Sequence, residues 1–425
     1  MRRRLAVIGA VTAAAATVAA ITVTTLSATA STSQTSVVSE NPLDNTPHVI
    51  DGQVKAIAVV GRKVIVGGKF TQVRNAGTSA RLTRNNIFAY DYFTGKVDTS
   101  FVPKINGQVA TLAWGADYTV YVGGAFTTVN GGAHRSLTRL YTSNGGRVGT
   151  FMNTYVNDGW VYSLWNKGGK LYVGGSFTKI RGVARPKLAR VDSVSGAVDT
   201  SLNINISESR TTSATRVQYL TLNPAGDKLL FNGNFMKVNG STRPQIAMVD
   251  LSGTPKLSTW STSSFAAKCN MSIDTYMRDM DFSPDGKYFA VVTTGGANGP
   301  PTLCDSASRW ATTSTAGSKP TWINYTGGDS LYAVAATGPA IYVAGHQRWL
   351  DNPEGRDSAG PGAVSRPGIG AIHPTTGKAL SWNPTRTRGH GVEALYAISQ
   401  GLMVGSDTDQ LGGEFHGRIG TFPVP

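Results

Sequence analysis

The sequence is poor in three things: cysteine, acidic side chains and helical periodicity. Only two cysteines occur in 425 residues, Cys269 and Cys304. Neither has a Cys or His neighbour at ligand spacing, which argues against a structural zinc site. Apolar residues rarely recur every three or four positions, so a helical solenoid is excluded. Beyond Leu26 no run is apolar enough to cross a bilayer as a helix. Asp and Glu number 25 against 40 Lys and Arg, a formal net charge of +15. That surplus suits anionic partners such as wall polymers or acidic glycans, and it also serves plain solubility. Nothing in the pattern points to nucleic acid.

The N-terminus reads as an export signal. Met1-Arg-Arg-Arg4 is a charged start, Leu5 to Leu26 is apolar and small, and Ala28-Thr-Ala30 is a cleavage pattern. The apolar run is also long enough for an uncleaved anchor. Cleavage after Ala30 removes three arginines and leaves a charge of about +12 on a chain long enough for a large core. In an exported chain Cys269 and Cys304 are expected to form one disulfide. Residues 31–45, rich in Ser, Thr and Asn, read as a disordered lead-in to a domain over 46–425.

What the sequence does have is a repeat. Tyr172-Val-Gly-Gly-Ser-Phe-Thr178 has near-copies at Ile65-Val-Gly-Gly-Lys-Phe-Thr71 and Tyr121-Val-Gly-Gly-Ala-Phe-Thr127. Phe231-Asn-Gly-Asn-Phe235 is weaker, and Tyr342-Val-Ala-Gly345 and Met403-Val-Gly-Ser406 are eroded. Apolar strands begin at Val54, Val109, Val161, Val217, Met277, Leu331 and Val392, roughly 56 residues apart. Seven such units predict an all-β, seven-bladed β-propeller of four-stranded antiparallel blades. The last unit lacks a fourth strand, and residues 47–50 are expected to supply it, protecting an open edge. A parallel β-helix is the rival, but its coils are shorter.

Together with Arg185-Pro-Lys-Leu-Ala-Arg-Val-Asp192, the Val-Gly-Gly-x-Phe-Thr phrase resembles the delta-sixty-repeat propellers of bacteria, which are related to fungal cortical cell-polarity markers. The C-terminal third carries Gly345-His-Gln-Arg-Trp-Leu-Asp-Asn-Pro353, Gly355-Arg-Asp-Ser-Ala-Gly-Pro-Gly362 and Val404-Gly-Ser-Asp-Thr-Asp409. It resembles exported actinobacterial propellers often fused to polycystic-kidney-type and malectin-like carbohydrate-binding domains. The resemblance spans residues 47–425. It implies fold and export and supplies no catalytic residue.

The internal copies serve as their own control. Paired glycines and the following Phe recur, so they read as structural. A basic residue recurs before the third strand (Arg84, His134, Arg185, Arg243, Arg366, His416); it reads either as a basic ring for an anionic ligand or, as its recurrence favours, as equivalent bonds to blade-edge carbonyls or carboxylates. Units 6 and 7 break the pattern, and their loops should share the face of the disc on which binding sites usually sit. The candidate ligand-binding set is His346, Arg348, Trp349, Asp351, Arg356, Asp357, His390, Glu393, Asp407 and Asp409. A Trp face suits a sugar ring and an Arg fork suits a carboxylate. The second residues of the inner strands, Lys55, Ala110, Tyr162, Gln218, Arg278, Tyr332 and Glu393, are expected to rim the axial channel. Asp274, Arg278, Asp279 and Asp281 form a further cluster, read as an inter-blade ion-pair network.

Three functions follow. The first is a secreted module at the bacterial cell surface that binds a glycan or anionic wall polymer. The second is a polysaccharide lyase or hydrolase, with His346 or His390 and Asp407 or Glu393 as acid and base. The third is a protein–protein platform, which needs only the fold. No cofactor is required, and no metal is assigned, although Asp351, Asp407 and Asp409 together could hold Ca²⁺ through oxygen.

Overall fold

Short segments of β-branched, aromatic and other apolar residues, punctuated by Gly-containing turns, form antiparallel sheets. In the third unit Val161–Lys167 pairs with Lys170–Gly175, which pairs with Leu188–Asp192. The two turn residues, Gly168 and Gly169, have φ of +59° and +70°. Glycine adopts that left-handed pair without strain, and its twist matches that of the strands. This computed structural model describes residues 32–425. The export signal read at residues 1–30 lies outside the described residues.

The same hairpin-plus-strand unit recurs along the described chain. Its inner strands are Gln53–Val60, Gln108–Gly115, Val161–Lys167, Val217–Leu222, Met277–Phe282, Leu331–Ala336 and Ala394–Ile398. They head the first to seventh sheets, in sequence order. The fourth and fifth sheets have regular outer strands, Lys256–Leu257 and Trp322–Tyr325. In the first, second, third and sixth the outer position is held by single bridges, such as Tyr90 to Val97 and Val191 to Val198. Among the described residues no helix is long and apolar enough to cross a membrane.

Neighbouring sheets pack face to face around an axis, and the glycine pair makes this possible. A Cβ on Gly67 would stand 2.4 Å from Val109 Cγ1 of the next inner strand. One on Gly68 would stand 2.0 Å from the Gln53 carbonyl of its own sheet. The first glycine therefore admits the neighbouring sheet and the second admits the inner strand's backbone. Gly405 meets Val54 in the same way, bringing the seventh sheet against the first. Phe70, Phe126, Phe177 and Phe235 are buried in the apolar layers between successive sheets.

The N-terminal segment departs from expectation. His48–Val49 pairs as a strand with Gln72–Arg74 in the loop region of the first sheet, and meets the seventh unit only ahead of its last strand, where Val49 N donates to Gly417 O at 2.7 Å. The backbone running beside Ile419–Pro423 lies further upstream: Ser39 N donates to Pro423 O and Leu43 N to Thr421 O, each at 2.8 Å. Nor are residues 32–45 a disordered lead-in. Gln34 is buried, and its amide donates to the carbonyls of Ile398 and Gly401 at 3.0 and 2.9 Å. Trp382 Nε1 donates to Ser39 O. A polar composition thus folds down because the seventh sheet offers it backbone acceptors. Cys269 and Cys304 form a disulfide with a Cα–Cα distance of 5.6 Å.

Candidate functional site at the axial mouth

The side chains expected at the rim converge near the starts of the inner strands, although Lys55 and Ala110 stand third in theirs and Glu393 just before the last. Lys55, Ala110, Tyr162 and Glu393 line an axial cavity of about 190 Å³. Gln218, Arg278, Tyr332 and Glu393 line an adjoining mouth of about 290 Å³, with Arg216 and His390. Glu393 borders both. Successive side chains alternate across a strand, so one residue near each strand start faces the axis.

The mouth is a mesh of charge. Glu393 receives Gln53 Nε2 at 2.8 Å and Lys55 Nζ at 2.5 Å, and His390 Nε2 lies 3.2 Å away. Burial alone pushes the Glu393 carboxyl up, but the bond from His390 and the Lys55 charge outweigh it and hold it at about 2. The same bond raises His390 above the usual histidine range. His390 stacks on Tyr332 with centroids 5.3 Å apart, and His346 meets that ring edge-on at 5.5 Å. His346 Nδ1 lies 3.1 Å from the His390 carbonyl, and burial lowers its pKa.

Arg278 differs from its neighbours. Its Nη1 donates to the carbonyls of Thr275 and Met277, and its guanidinium lies 5.6 Å from the Tyr332 centroid. Among the described residues it has no carboxylate partner. Arg216, beside it, is paired with Asp274 at 2.8 Å. Only that link of the expected inter-blade ion-pair network is made. Asp279 and Asp281 accept backbone N–H bonds from Val334 and Ala336 of the next sheet instead. Burial pushes the Asp279 carboxyl up to about 7 and Asp281 well above its ordinary value.

The remaining candidates divide. Asp407 lies beside the mouth but is fully engaged: it takes Arg386 at 2.9 Å and the backbone N–H groups of His390 and Gly391. Arg348 stands one step outward on Asp329 and covers its own neighbour, its guanidinium 4.3 Å from the Trp349 centroid. Asp351 is not at the mouth. Its oxygens accept from Asn324 and from Ala379 N near the outer edge of the fifth and sixth sheets. Arg356 bonds the carbonyl of Gly355, and Asp357 and Asp409 have no ion-pair partner among the described residues. The three aspartates offered for Ca²⁺ are therefore not assembled, and no His/Cys/Asp/Glu group suited to a metal occurs among the described residues.

Asp329 was missed from the sequence. It is nearly fully buried, and it gathers Arg348 at 2.9 Å and Arg388 at 2.8 Å. In other sheets an Asp or Asn three places before the inner strand's first apolar residue caps the Phe-Thr phrase. Asp51 accepts from Thr71 N, Asn106 from Thr127 N and Asp158 from Thr178 N. Asp329 caps Arg348 N the same way from two places before Leu331. That one-residue shift hid it, and an Asp near that position was the available signal.

With the geometry in place, the comparisons are consistent with it. The family described as "Domain of unknown function (DUF5122) beta-propeller" matches residues 169–202. The Myceliophteria thermophila Cps50 (Swd1) β-propeller domain superposes with a TM-score of 0.50 at 10% identity, over 90% of this chain and 100% of that one. The fold is a β-propeller. The computationally designed Ika8 protein aligns over 91% of this chain and all of its own, at 12% identity and a TM-score of 0.47. No curated protein matches. The propeller supplies a rigid ring of strand starts, and its chemistry rests on the side chains set there.

Proposed function

We propose that this protein is an exported seven-bladed propeller that binds an acidic glycan or anionic wall polymer at the bacterial surface. In this reading residues 39–43 complete the seventh blade, and the ligand's carboxylate meets the axial mouth. One observation carries the proposal: Arg278 sits in a concave, half-buried mouth without a carboxylate partner, beside aromatic Tyr332 and the amide of Gln218. A guanidinium in such a place favours an anion, and a Tyr edge with an amide suits a sugar ring. The excess of basic residues adds long-range attraction. Calorimetric titration with oligouronates and with neutral oligosaccharides tests it. Binding of the acidic series only, lost in Arg278→Gln, supports the reading; equal binding of neutral sugars, or unchanged binding by Arg278→Gln, refutes it.

A second reading is cleavage of the glycan by β-elimination. It is favoured by the two imidazoles that flank Tyr332, one lowered and one raised in pKa, as an acid and a base require. Hydrolysis is less well served, because Glu393 and Asp407 are both committed to internal partners. The ultraviolet absorbance of an unsaturated uronate product separates cleavage from binding alone.

A further inference from the structure

The surplus of positive charge is not spread around the ring. Residues 109–216, the second and third units, carry 12 Lys and Arg against five Asp and Glu. Residues 217–425, which hold the fourth to seventh units, carry 16 against 15 and are nearly neutral. The field that attracts anions therefore comes mainly from one side of the disc, away from the loops of the sixth and seventh units. Where the second and third sheets meet, cations and aromatic rings alternate along one path. Trp160 stands two residues before Tyr162, which lines the axial cavity. The Arg135 guanidinium lies 5.7 Å from the Trp160 centroid. His134, next to Arg135, meets Tyr155 with ring centroids 6.0 Å apart. The Tyr155 carbonyl accepts the Arg181 N–H at 2.9 Å, at the turn between the short outer strands Lys179–Ile180 and Val183–Ala184. The path thus leads from the axis to the circumference.

This path is open to a ligand. Tyr155 is 39% exposed, Lys179 and Arg181 are exposed, and Trp160 and Arg135 are half-buried. Among the described residues none of Arg135, Lys179 and Arg181 has a carboxylate partner. Arg181 spends one N–H on the Ser195 carbonyl at 2.9 Å. Asp158, the acid nearest in sequence, is held by Thr178 through both of its oxygens, and Asp199 takes Lys170 and Arg190. The junction of the first and second sheets lacks this alternation: Gln108 holds the place of Trp160, Asn85 that of Arg135 and Lys104 that of Tyr155. Aromatic faces stack on sugar rings, and guanidinium and ammonium groups take the carboxylates those rings carry. We infer that the junction of the second and third sheets is an outer binding surface for an acidic glycan, over which a chain long enough to leave the axial mouth runs outward across Trp160, Arg135 and Tyr155 to Arg181. The inference rests on the acidic-glycan reading and adds to it a second contact surface, so that affinity grows with chain length.

The test measures binding of two oligouronates, a trisaccharide and an oligomer several times longer, to the full-length protein. The longer oligomer is expected to bind at least about tenfold more tightly. Combining Arg135→Gln, Lys179→Gln and Arg181→Gln is expected to weaken the longer oligomer about tenfold, the sum of three exposed charge contacts, and to leave the trisaccharide unchanged. Trp160→Ala is expected to weaken the longer oligomer about threefold, with thermal melting confirming the fold. A control of equal charge combines Lys256→Gln, Lys268→Gln and Lys319→Gln, exposed lysines outside the path, and is expected to change either affinity by no more than about twofold. If the control loses as much as the path variant, or the path variant loses nothing, the outer surface is overturned, while trisaccharide binding that is lost in Arg278→Gln keeps the acidic-glycan reading. If neither oligomer binds the wild type, the acidic-glycan reading falls and the inference falls with it.

Discussion

The first four sheets and the last three solve one problem with different residues. In the first four a Phe fills the layer between neighbours, and in the first three an Asp or Asn caps the Thr that follows it. In the sixth sheet Gln347 stands where the Phe stood, and Arg348 where the Thr stood. In the seventh those places fall to Thr408 and Asp409, and Asp407 just before them takes Arg386. The backbone cap survives at Asp329 while the side chains become charged. The ring tolerates this because the glycine-to-strand contact, which sets sheet spacing, is kept at Gly405. A propeller can thus exchange packing for charge in a sector without losing its geometry.

That contrast can be broken experimentally, and the largest effect is expected where packing dominates. Phe177→Ala should cost about 4 kcal/mol in urea unfolding, while Gln347→Ala at the matching place should cost well under half of that. Equal losses would show that the two halves pack alike. Next, Asp329→Asn should destabilise by about 3 kcal/mol, since it leaves Arg348 and Arg388 around a buried, uncharged amide. High salt should blunt that loss, because both arginines are partly exposed.

A pH dependence should follow from the fifth sheet. The folded Asp279 carboxyl titrates near 7 and the unfolded one near 3.8, so the native state holds the extra proton between these values. Stability contributed by the protonated form is present at low pH and falls as pH rises from about 4 to about 7, by roughly 2 kcal/mol after allowance for water in the adjoining axial cavity. Asp279→Asn should remove part of the slope, and Asp281, raised in the same way, should retain the rest. A melting temperature independent of pH across this range would contradict the assignment. Smallest of all, Asp158→Ala should cost about 1 kcal/mol, the loss of one exposed backbone cap.

Much of this was legible in the chain. The recurring arginines, read as edge bonds, behave as such: Arg84, Arg185 and Arg243 each donate to the preceding residue's carbonyl and to one 14 or 15 residues on. Arg366 does the same toward Leu380. Repetition revealed them because each repeats a local bond. The mouth was legible as a place but not as a chemistry. Lys55 and Glu393 were both expected at the rim, yet nothing local joins residues 338 positions apart. Trp349 looked like a sugar platform and carries its own arginine instead. Asp351 belonged to an outer-edge bond that no neighbouring residue announces.

By itself, then, the sequence determined whatever depends on a residue and its near neighbours: strands, turns, glycine approaches, the spacing of the sheets and the cysteine pair. Which charges are spent and which are left over was decided only by the closed arrangement of the sheets. Around the axial mouth a carboxylate is neutralised by whatever cation the ring brings within about 3 Å, and Glu393, Asp274 and Asp329 take theirs from other sheets or from the far end of the chain. Arg278 makes no direct ion pair among the described residues: the acids beside it in sequence, Asp279 and Asp281, turn to the next sheet's backbone, and Glu393 across the mouth acts on it only at a distance.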